Sequence, residues 1–163
     1  MPCIVLSTLN ARYSHASLGL RYLRANMGDL RDETLILEMV TGVKTETAVE
    51  RLLAHEPRVI GFGVYIWNVE ETTRIVAMLK VVAPEVVVVL GGPEVSYETE
   101  AQRICALADH VVTGWGDVTF PALVRQILDG PKPLMKVLPG AQPPLDQLAF
   151  PYAEYTDDDI ARR

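Results

Sequence analysis

The stretch VVVVLGGPEVSYE, residues 86–98, carries the clearest fold signal in the chain. Its four valines and one leucine are apolar on both faces, which is typical of a strand buried inside a parallel sheet. Gly91 and Gly92 follow at the carboxyl end of this strand, and the chain turns polar after Pro93. Ligands of open parallel sheets bind outside the carboxyl ends of the strands. The stretch therefore predicts a central strand with bare main chain at its ligand-binding end.

Strand-like and helix-like patterns alternate on both sides of this stretch. The predicted strands are residues 3–9, 34–39, 59–66, 86–90 and 110–113, and the predicted helices are 18–27, 45–55, 70–82, 100–108 and 119–128. Thr45 is predicted to cap the second helix. Because parallel strands need right-handed crossover connections, the alternation predicts an α/β fold. The expected architecture is a doubly wound five-stranded parallel sheet, flavodoxin-like, with strand order 2-1-3-4-5.

The character of the chain changes at Pro131. Residues 1–130 are predicted to form the α/β domain, whereas residues 131–163 contain prolines at 131, 133, 139, 143, 144 and 151. This spacing excludes a long helix and favours an extended linker lying along the domain. Thr156 is predicted to cap a last helix with aspartates at its positive end. We interpret residues 131–163 as a linker and the start of a truncated following domain.

Composition narrows the class of protein. The chain has 163 residues with 15 basic and 21 acidic side chains, and its net charge of -6 argues against a nucleic-acid partner. Its apolar runs are shorter than the ~20 residues of a membrane span, and no secretory signal is visible in residues 1–10. A soluble, cytoplasmic protein is expected, with no membrane partner. Cys3 and Cys105 are interpreted as core residues, since their separation favours neither a disulfide framework nor a zinc site.

Four predicted loops meet at the carboxyl edge of the sheet: residues 10–19, 65–68, 91–96 and 114–117. Gly91 and Gly92, like Gly114 and Gly116 in the last loop, are compatible with contact to a flat ligand or with an ordinary tight turn. Trp67 either covers a ligand or packs against a neighbouring loop. His15 is compatible with a metal ligand, but a capping or packing role is favoured.

Several chemistries are excluded by these loops. Phosphoryl acceptance needs acidic residues after the first and third strands, where Asn10 and Trp67 stand instead. No GxxxxGK[ST] loop is present, and no GxGxxG follows the first strand. Ser14 and His15 are adjacent in the sequence, but adjacency on a loop does not orient a nucleophile toward a base. We therefore predict no catalytic residue and no metal ligand in this chain.

Four segments together resemble one known family. They are ASLGLRYLRAN after the first strand, GFGVYIWN at the third, VVVVLGGPE at the fourth and DHVVTGWGDVTFPALV at the fifth. In this order they resemble the amino-terminal cobalamin-binding domain of cobalamin-dependent radical S-adenosylmethionine enzymes, over about residues 2–128. The proline-rich segment is similar to the bridge that leads to the catalytic barrel in that family.

The resemblance implies a corrinoid lying flat across the carboxyl edge, with its nucleotide tail along the fourth-strand region. The cofactor-binding residues that it implies are Asn10, Ser17, Leu18, Gly19, Gly63, Val64, Tyr65, Trp67, Asn68, Gly91, Gly92, Pro93, Glu94, Gly114, Trp115, Gly116 and Asp117.

The chain departs from the family patterns at three places. Cobalamin mutases bind cobalt through the histidine of a DxHxxG loop, but here Asn10 precedes His15 by five positions and Gly19 comes one residue too late. The resemblance therefore implies no histidine ligand to cobalt, with residues 65–68 covering the lower face. GWGD at 114–117 replaces the common GEGE. The CxxxCxxC of the iron-sulfur cluster is absent, so S-adenosylmethionine, the cluster and any methyltransferase-like activity belong to a barrel in the full-length protein.

Two other functions are also compatible with the sequence. One is an FMN-binding flavodoxin-like electron carrier, because Ser7, Thr8, Ser14 and Ser17 surround the first loop and Trp67 could stack on a flavin. The other is a ligand-free interaction domain that uses the strand ends or the proline-rich tail. A cobalamin-binding module remains the leading hypothesis.

Overall fold

The computed structural model describes residues 3–131 and 133–162. Within these residues, six parallel strands form one sheet in the order β2-β1-β3-β4-β5-β6. The strands are β1 (Ile4–Asn10), β2 (Thr34–Val40), β3 (Val59–Gly63), β4 (Val87–Gly91), β5 (His110–Gly114) and β6 (Val137–Gly140). The helices are α1 (Leu18–Ala25), α2 (Thr45–Leu53), α3 (Val69–Val82), α4 (Arg103–Leu107), α5 (Thr119–Asp129) and α6 (Asp157–Ala161).

The strand register brings the predicted loops to one edge of the sheet. β3 and β4 pair from Val59 with Val87 to Gly63 with Gly91, so these two strands end side by side. β1 lies between β2 and β3, which makes it the point where the strand order reverses. In doubly wound sheets a crevice opens at such a point.

Side chains alternate along each strand, so the sheet has an apolar core on both faces. On one face α2, α3 and α4 pack over residues such as Val5, Ile60 and Val88. On the other face α1 and α5 pack over residues such as Leu6 and Val89. Helices on both faces explain why the central strands are apolar throughout.

The predicted fold class is confirmed, with one strand more than expected. β6 lies in the segment predicted to be a linker and pairs with β5 from Val111 with Val137 to Gly114 with Gly140. Proline is tolerated here because β6 is the edge strand, where Pro139 needs no N–H for a further neighbour. Gly140 is needed because a Cβ at this position would collide with the carbonyl oxygen of Trp115.

Three predictions about individual elements are wrong. The third strand ends at Gly63 and not at residue 66, because the chain turns there and the Asn68 N–H donates to the Tyr65 carbonyl. The predicted helix 100–108 is a 3-10 turn at Thr99–Ala101 followed by α4, with an extended Gln102 between them. Lys44, and not Thr45, precedes α2 as its cap residue, and no side chain caps that helix.

The predicted cap of the last helix is confirmed. Thr156 accepts a hydrogen bond from the Asp159 N–H through its hydroxyl, and the Asp159 carboxylate accepts one from the Thr156 N–H. Cys105 is buried as predicted, whereas Cys3 is only half-buried and its thiol donates to Glu33. Burial is the main cause that raises the pKa of each thiol. Among the helices of residues 3–131 and 133–162, none is long and apolar enough to span a membrane.

Candidate cofactor cavity

A cavity of about 620 Å³ opens at the carboxyl edge, on the face of the sheet that α1 and α5 cover. Its volume is typical of a ligand site, for which the usual range is roughly 300–1,000 Å³. The lining residues are Leu6, Gly19, Leu20, Tyr22, Leu23, Gly61, Phe62, Gly63, Tyr65, Val89, Leu90, Gly91, Gly92, Val112, Gly114, Trp115, Gly116, Asp117, Phe120, Leu145 and Leu148.

The floor of the cavity is made by glycines on β3 and β4. A Cβ at Gly91 would have only one neighbour, the Val112 carbonyl oxygen at 3.9 Å, and one at Gly63 would touch Thr8 at 3.5 Å. Side chains at these two positions would therefore extend into the cavity and fill it. Gly61 has a packing role, because a Cβ there would stand 3.0 Å from the Phe120 ring.

Gly92 serves the turn and not the floor. Its φ is +109°, and a Cβ would lie 2.5 Å from the Val64 carbonyl oxygen. The sequence allowed either contact with a ligand or a tight turn for these two glycines. In the structure Gly91 forms the cavity floor, whereas Gly92 forms the turn.

The loop after β5 forms one side of the cavity mouth. Gly114 has a φ of +71° and its N–H donates to Ser96 Oγ at 3.0 Å, so it serves a turn. A Cβ at Gly116 would stand 3.2 Å from Leu23, so this glycine permits close approach to α1. Trp115 between them is 44% exposed. Its ring therefore offers apolar surface at the mouth.

Asp117 is the one charged residue among the described residues that line the cavity. Burial raises the pKa of its carboxyl group, and a main-chain hydrogen bond opposes that shift more weakly. Desolvation penalises the charged form of a carboxyl group that lacks a cationic partner. The cavity is consequently suited to an apolar group and not to an anion.

The loop after β3 is fixed from below by Asn68, which is fully buried. Its Oδ1 accepts from the Tyr65 N–H at 2.9 Å, and its Nδ2 donates to the Leu9 carbonyl at 3.0 Å and to Thr8 Oγ1 at 3.2 Å. The rings of Tyr65 and Trp67 stack with centroids 4.4 Å apart. Trp67 also donates to the Leu9 carbonyl and remains 51% exposed. The stacked pair is therefore a rigid aromatic surface beside the cavity.

The loop after β1 is organised by Ser17 and not by His15. Ser17 caps α1 by accepting the Leu20 N–H, while the side chain of His15 is exposed. The predicted capping or packing role of His15 is therefore wrong. Asn10 braces this loop, because its Nδ2 donates to the His15 carbonyl at 3.0 Å and to Glu38 at 3.1 Å.

The cavity brings together nine of the residues that the sequence implied. They are Gly19, Gly63, Tyr65, Gly91, Gly92, Gly114, Trp115, Gly116 and Asp117. Outside the lining lie Asn10, Ser17, Leu18, Val64, Trp67, Asn68, Pro93 and Glu94. Asn10, Ser17 and Asn68 hold loops in place, while Leu18 and Trp67 are exposed. A cofactor contact from these eight residues stays a prediction.

Sequence reasoning missed most of the apolar walls. The missed lining residues are Leu6, Leu20, Tyr22, Leu23, Gly61, Phe62, Val89, Leu90, Val112, Phe120, Leu145 and Leu148. Strand residues such as Val89 carry the same apolar signal whether they face a helix or a cavity. The helical spacing of Gly19, Tyr22 and Leu23 could have indicated the α1 wall.

Two of the four hydroxyls that motivated an FMN site, those of Ser7 and Thr8, are engaged elsewhere. Ser7 donates to the Leu37 carbonyl at 2.7 Å, and Thr8 donates to the Gly63 carbonyl at 2.8 Å. Both side chains are buried within β1 and are not part of a phosphate-binding loop. The FMN hypothesis therefore loses its main structural argument.

Comparison with solved structures supports the fold. The chain is similar to a cobalamin-binding protein from Desulfitobacterium hafniense DCB-2, with a TM-score of 0.57, 19% identity and coverage of 76% of this chain and 57% of that one. It is also similar to a CheY-like protein, tadZ, from Pseudomonas aeruginosa PAO1, with a TM-score of 0.55, 14% identity and coverage of 80% and 98%. At these identities the likeness concerns the fold alone.

Comparison of sequences gives the family. The chain is 26% identical over 114 residues to an uncharacterized methyltransferase from Pyrococcus horikoshii, and the match covers 69% of this chain. It spans only 25% of the length of that relative. The family model described as the B12 binding domain matches residues 4–124, which include β1 to β5 and most of α5. The chain therefore belongs to the B12-binding domain family, and its cofactor is cobalamin.

Proposed function

We propose that this chain holds cobalamin with the flat base of the nucleotide tail in the cavity, the corrin ring across the carboxyl edge, and no histidine bound to cobalt. The observation that carries this proposal is the apolar cavity floored by Gly63 and Gly91, which opens at the strand ends. Bound cobalamin supplies a cobalt atom able to carry an alkyl group. The residues of this chain bind and orient the cofactor.

The residues present fit such a group. The base of the nucleotide tail is flat and mostly apolar, and the missing side chains of Gly63 and Gly91 leave a space of matching character. In this arrangement the corrin ring would lie over the mouth of the cavity. Trp115 lines the cavity and is 44% exposed, and the exposed Trp67 stacks on Tyr65, which also lines it. Such surfaces suit a flat ring with apolar edges.

Gly91→Val tests the position of the tail. The valine methyl groups would enter the cavity, so we expect the Kd for hydroxocobalamin, measured by equilibrium dialysis, to rise at least about tenfold. Gly130→Val is the matched control, because Gly130 is exposed and lies outside the cavity. Equal affinity of the Gly91→Val variant and the unaltered chain would refute this placement.

The positions of the histidines support binding without a histidine ligand. His15 is exposed and does not line the cavity. His110 begins β5, at the opposite edge of the sheet, and its Nδ1 lies 2.9 Å from the Met135 carbonyl oxygen. His55 follows α2 and precedes the start of β3. None of the three is therefore placed in the cavity wall.

Electron paramagnetic resonance of the reduced complex tests this part of the proposal. Without a nitrogen ligand below cobalt, the cob(II)alamin spectrum should lack nitrogen superhyperfine splitting and be identical for the unaltered chain and His15→Ala. Splitting that disappears in His15→Ala would identify His15 as the ligand and contradict the proposal.

We propose further that this domain serves a radical S-adenosylmethionine barrel, which carries the iron-sulfur cluster, in the same full-length protein. Two observations support this proposal. The strand-end loops resemble those of the radical family in the same order, and the chain matches only 25% of the length of a methyltransferase relative. The reaction would be methyl transfer or a related radical step. Sequencing the reading frame beyond residue 163 is the test: a CxxxCxxC there is expected, and a frame without one would count against it.

A further inference from the structure

The segment after β6 folds back onto α1 and reaches the cofactor cavity. Leu145 and Leu148 line the cavity, although they lie outside the residues 4–124 that match the family model. Asn26, at the end of α1, donates to the Ala149 carbonyl at 3.1 Å and accepts from the Ala149 N–H at 2.9 Å. The segment is therefore positioned by specific contacts.

A buried ionic clasp holds the same segment. The side chain of Glu154 is 2% exposed, and its carboxylate accepts hydrogen bonds from Arg24 of α1 and, at 2.7 Å, from Arg31. Arg24 also donates to the Thr34 carbonyl at 2.6 Å, which ties the clasp to β2. Breaking a buried ion pair from one side leaves an uncompensated charge. The clasp therefore favours the docked position.

A second ion pair continues this attachment. Arg21 of α1 is 2% exposed and pairs with Glu38 at 2.8 Å and with Asp159 of α6 at 3.1 Å. The helix that forms one wall of the cavity is thus also the helix to which the segment is bound.

We infer that Leu145 and Leu148 form the outer wall of the cofactor site, and that the Glu154 clasp sets how tightly the nucleotide tail is held. Leu145 remains largely exposed in the cavity wall, so a tail that covers it removes apolar surface from water. Binding and docking are then coupled, and each favours the other by the same factor. This inference rests on the tail position proposed above.

Glu154→Gln tests the inference with two corrinoids. Cobinamide lacks the nucleotide tail, so only hydroxocobalamin should depend on the outer wall. If the clasp variant leaves the segment docked in about a tenth of the molecules, the Kd for hydroxocobalamin rises about tenfold while that for cobinamide is unchanged. Asp158→Asn is the control, since Asp158 makes an exposed ion pair with Arg162 and should leave both values unaltered.

Leu148→Asp provides a second test that leaves the clasp intact. It places a charge in the apolar wall, so it should weaken hydroxocobalamin selectively, whereas Leu134→Asp at a fully exposed position outside the cavity should not. Unchanged hydroxocobalamin affinity in both Glu154→Gln and Leu148→Asp would overturn the inference. An equal loss for both corrinoids would also overturn it. Failure of the unaltered chain to bind either corrinoid would instead refute the proposed function.

Discussion

Gly92 lies directly against the main chain of Val64, so that the turn after β4 and the turn after β3 support each other. The site of a Cβ at Gly92 is 2.5 Å from the Val64 carbonyl oxygen, and the Glu94 N–H donates to that oxygen. The Val64 N–H in turn donates to the Gly91 carbonyl at 2.8 Å. The two loops that border the cavity are therefore joined through their main chains.

Gly92→Ala should lower the free energy of unfolding by about 1–3 kcal/mol, because the alanine is strained at a φ of +109° and collides with Val64. Gly91→Ala should change it by less than about 1 kcal/mol, since its Cβ meets only an ordinary contact. Urea unfolding of both variants measures the difference. A similar loss in the two would show that the turn does not require glycine specifically at 92.

Asn68→Asp should be more destabilising than Asn68→Ala at neutral pH. The aspartate would direct an oxygen at the Leu9 and Gly63 carbonyl oxygens, which now accept from Nδ2. An unsatisfied buried charge of this kind costs about 3 kcal/mol or more, against about 1–3 kcal/mol for the lost hydrogen bonds of alanine. Thermal unfolding at neutral and acidic pH distinguishes them, because protonation relieves only the aspartate. Equal stability of the two variants at neutral pH would contradict this account of the loop.

Asp117→Asn should stabilise the chain at neutral pH. Burial raises the pKa of Asp117 above its ordinary 3.8, so the folded chain retains the proton to higher pH than the unfolded chain. The free energy of unfolding therefore falls as the pH rises from 3.8 through the raised pKa. The Asp117→Asn variant has no carboxyl group to ionise, so its free energy of unfolding does not fall in this way. It should therefore be more stable than the unaltered chain at neutral pH, and the difference should decline on acidification.

Urea unfolding between acidic and neutral pH measures this dependence. Asp146→Asn, at an exposed position outside the cavity, is the control and should show no comparable advantage. A constant difference between Asp117→Asn and the unaltered chain across the whole range would mean that the ionisation of Asp117 is not the cause.

Arg21→Met should lower the free energy of unfolding by about 3–5 kcal/mol, because Glu38 and Asp159 lose their shared buried partner. Arg162→Ala removes an exposed pair with Asp158 and should cost less than about 1 kcal/mol. Chemical denaturation of the two variants provides the comparison. If Arg21→Met costs as little as Arg162→Ala, the ion pairs of Arg21 with Glu38 and Asp159 contribute little to stability.

Local patterns were enough to predict the sheet and the position of the site. The valines of β4 predict a buried parallel strand because burial on both faces requires apolar residues at every position. Strand ends then meet at one edge by geometry, which is why nine implied residues, among them Gly19, Tyr65 and Asp117, line one cavity. β6 was not predicted, because Pro139 in isolation argues against a strand, and only the adjacent β5 supplies its partner.

The sequence by itself thus determined the parallel α/β fold and the carboxyl edge as the ligand-binding end, since both follow from local periodicity and loop composition. Only the tertiary structure decided which of two adjacent residues lines the cavity and which one forms a turn. Gly91 and Gly92 are the same residue type in adjacent positions, yet one faces open cavity and the other meets Val64. Leu145 and Leu148 became part of the wall through the long-range contacts of Glu154 with Arg24 and Arg31. Such contacts join residues far apart in the chain, and no local pattern encodes them.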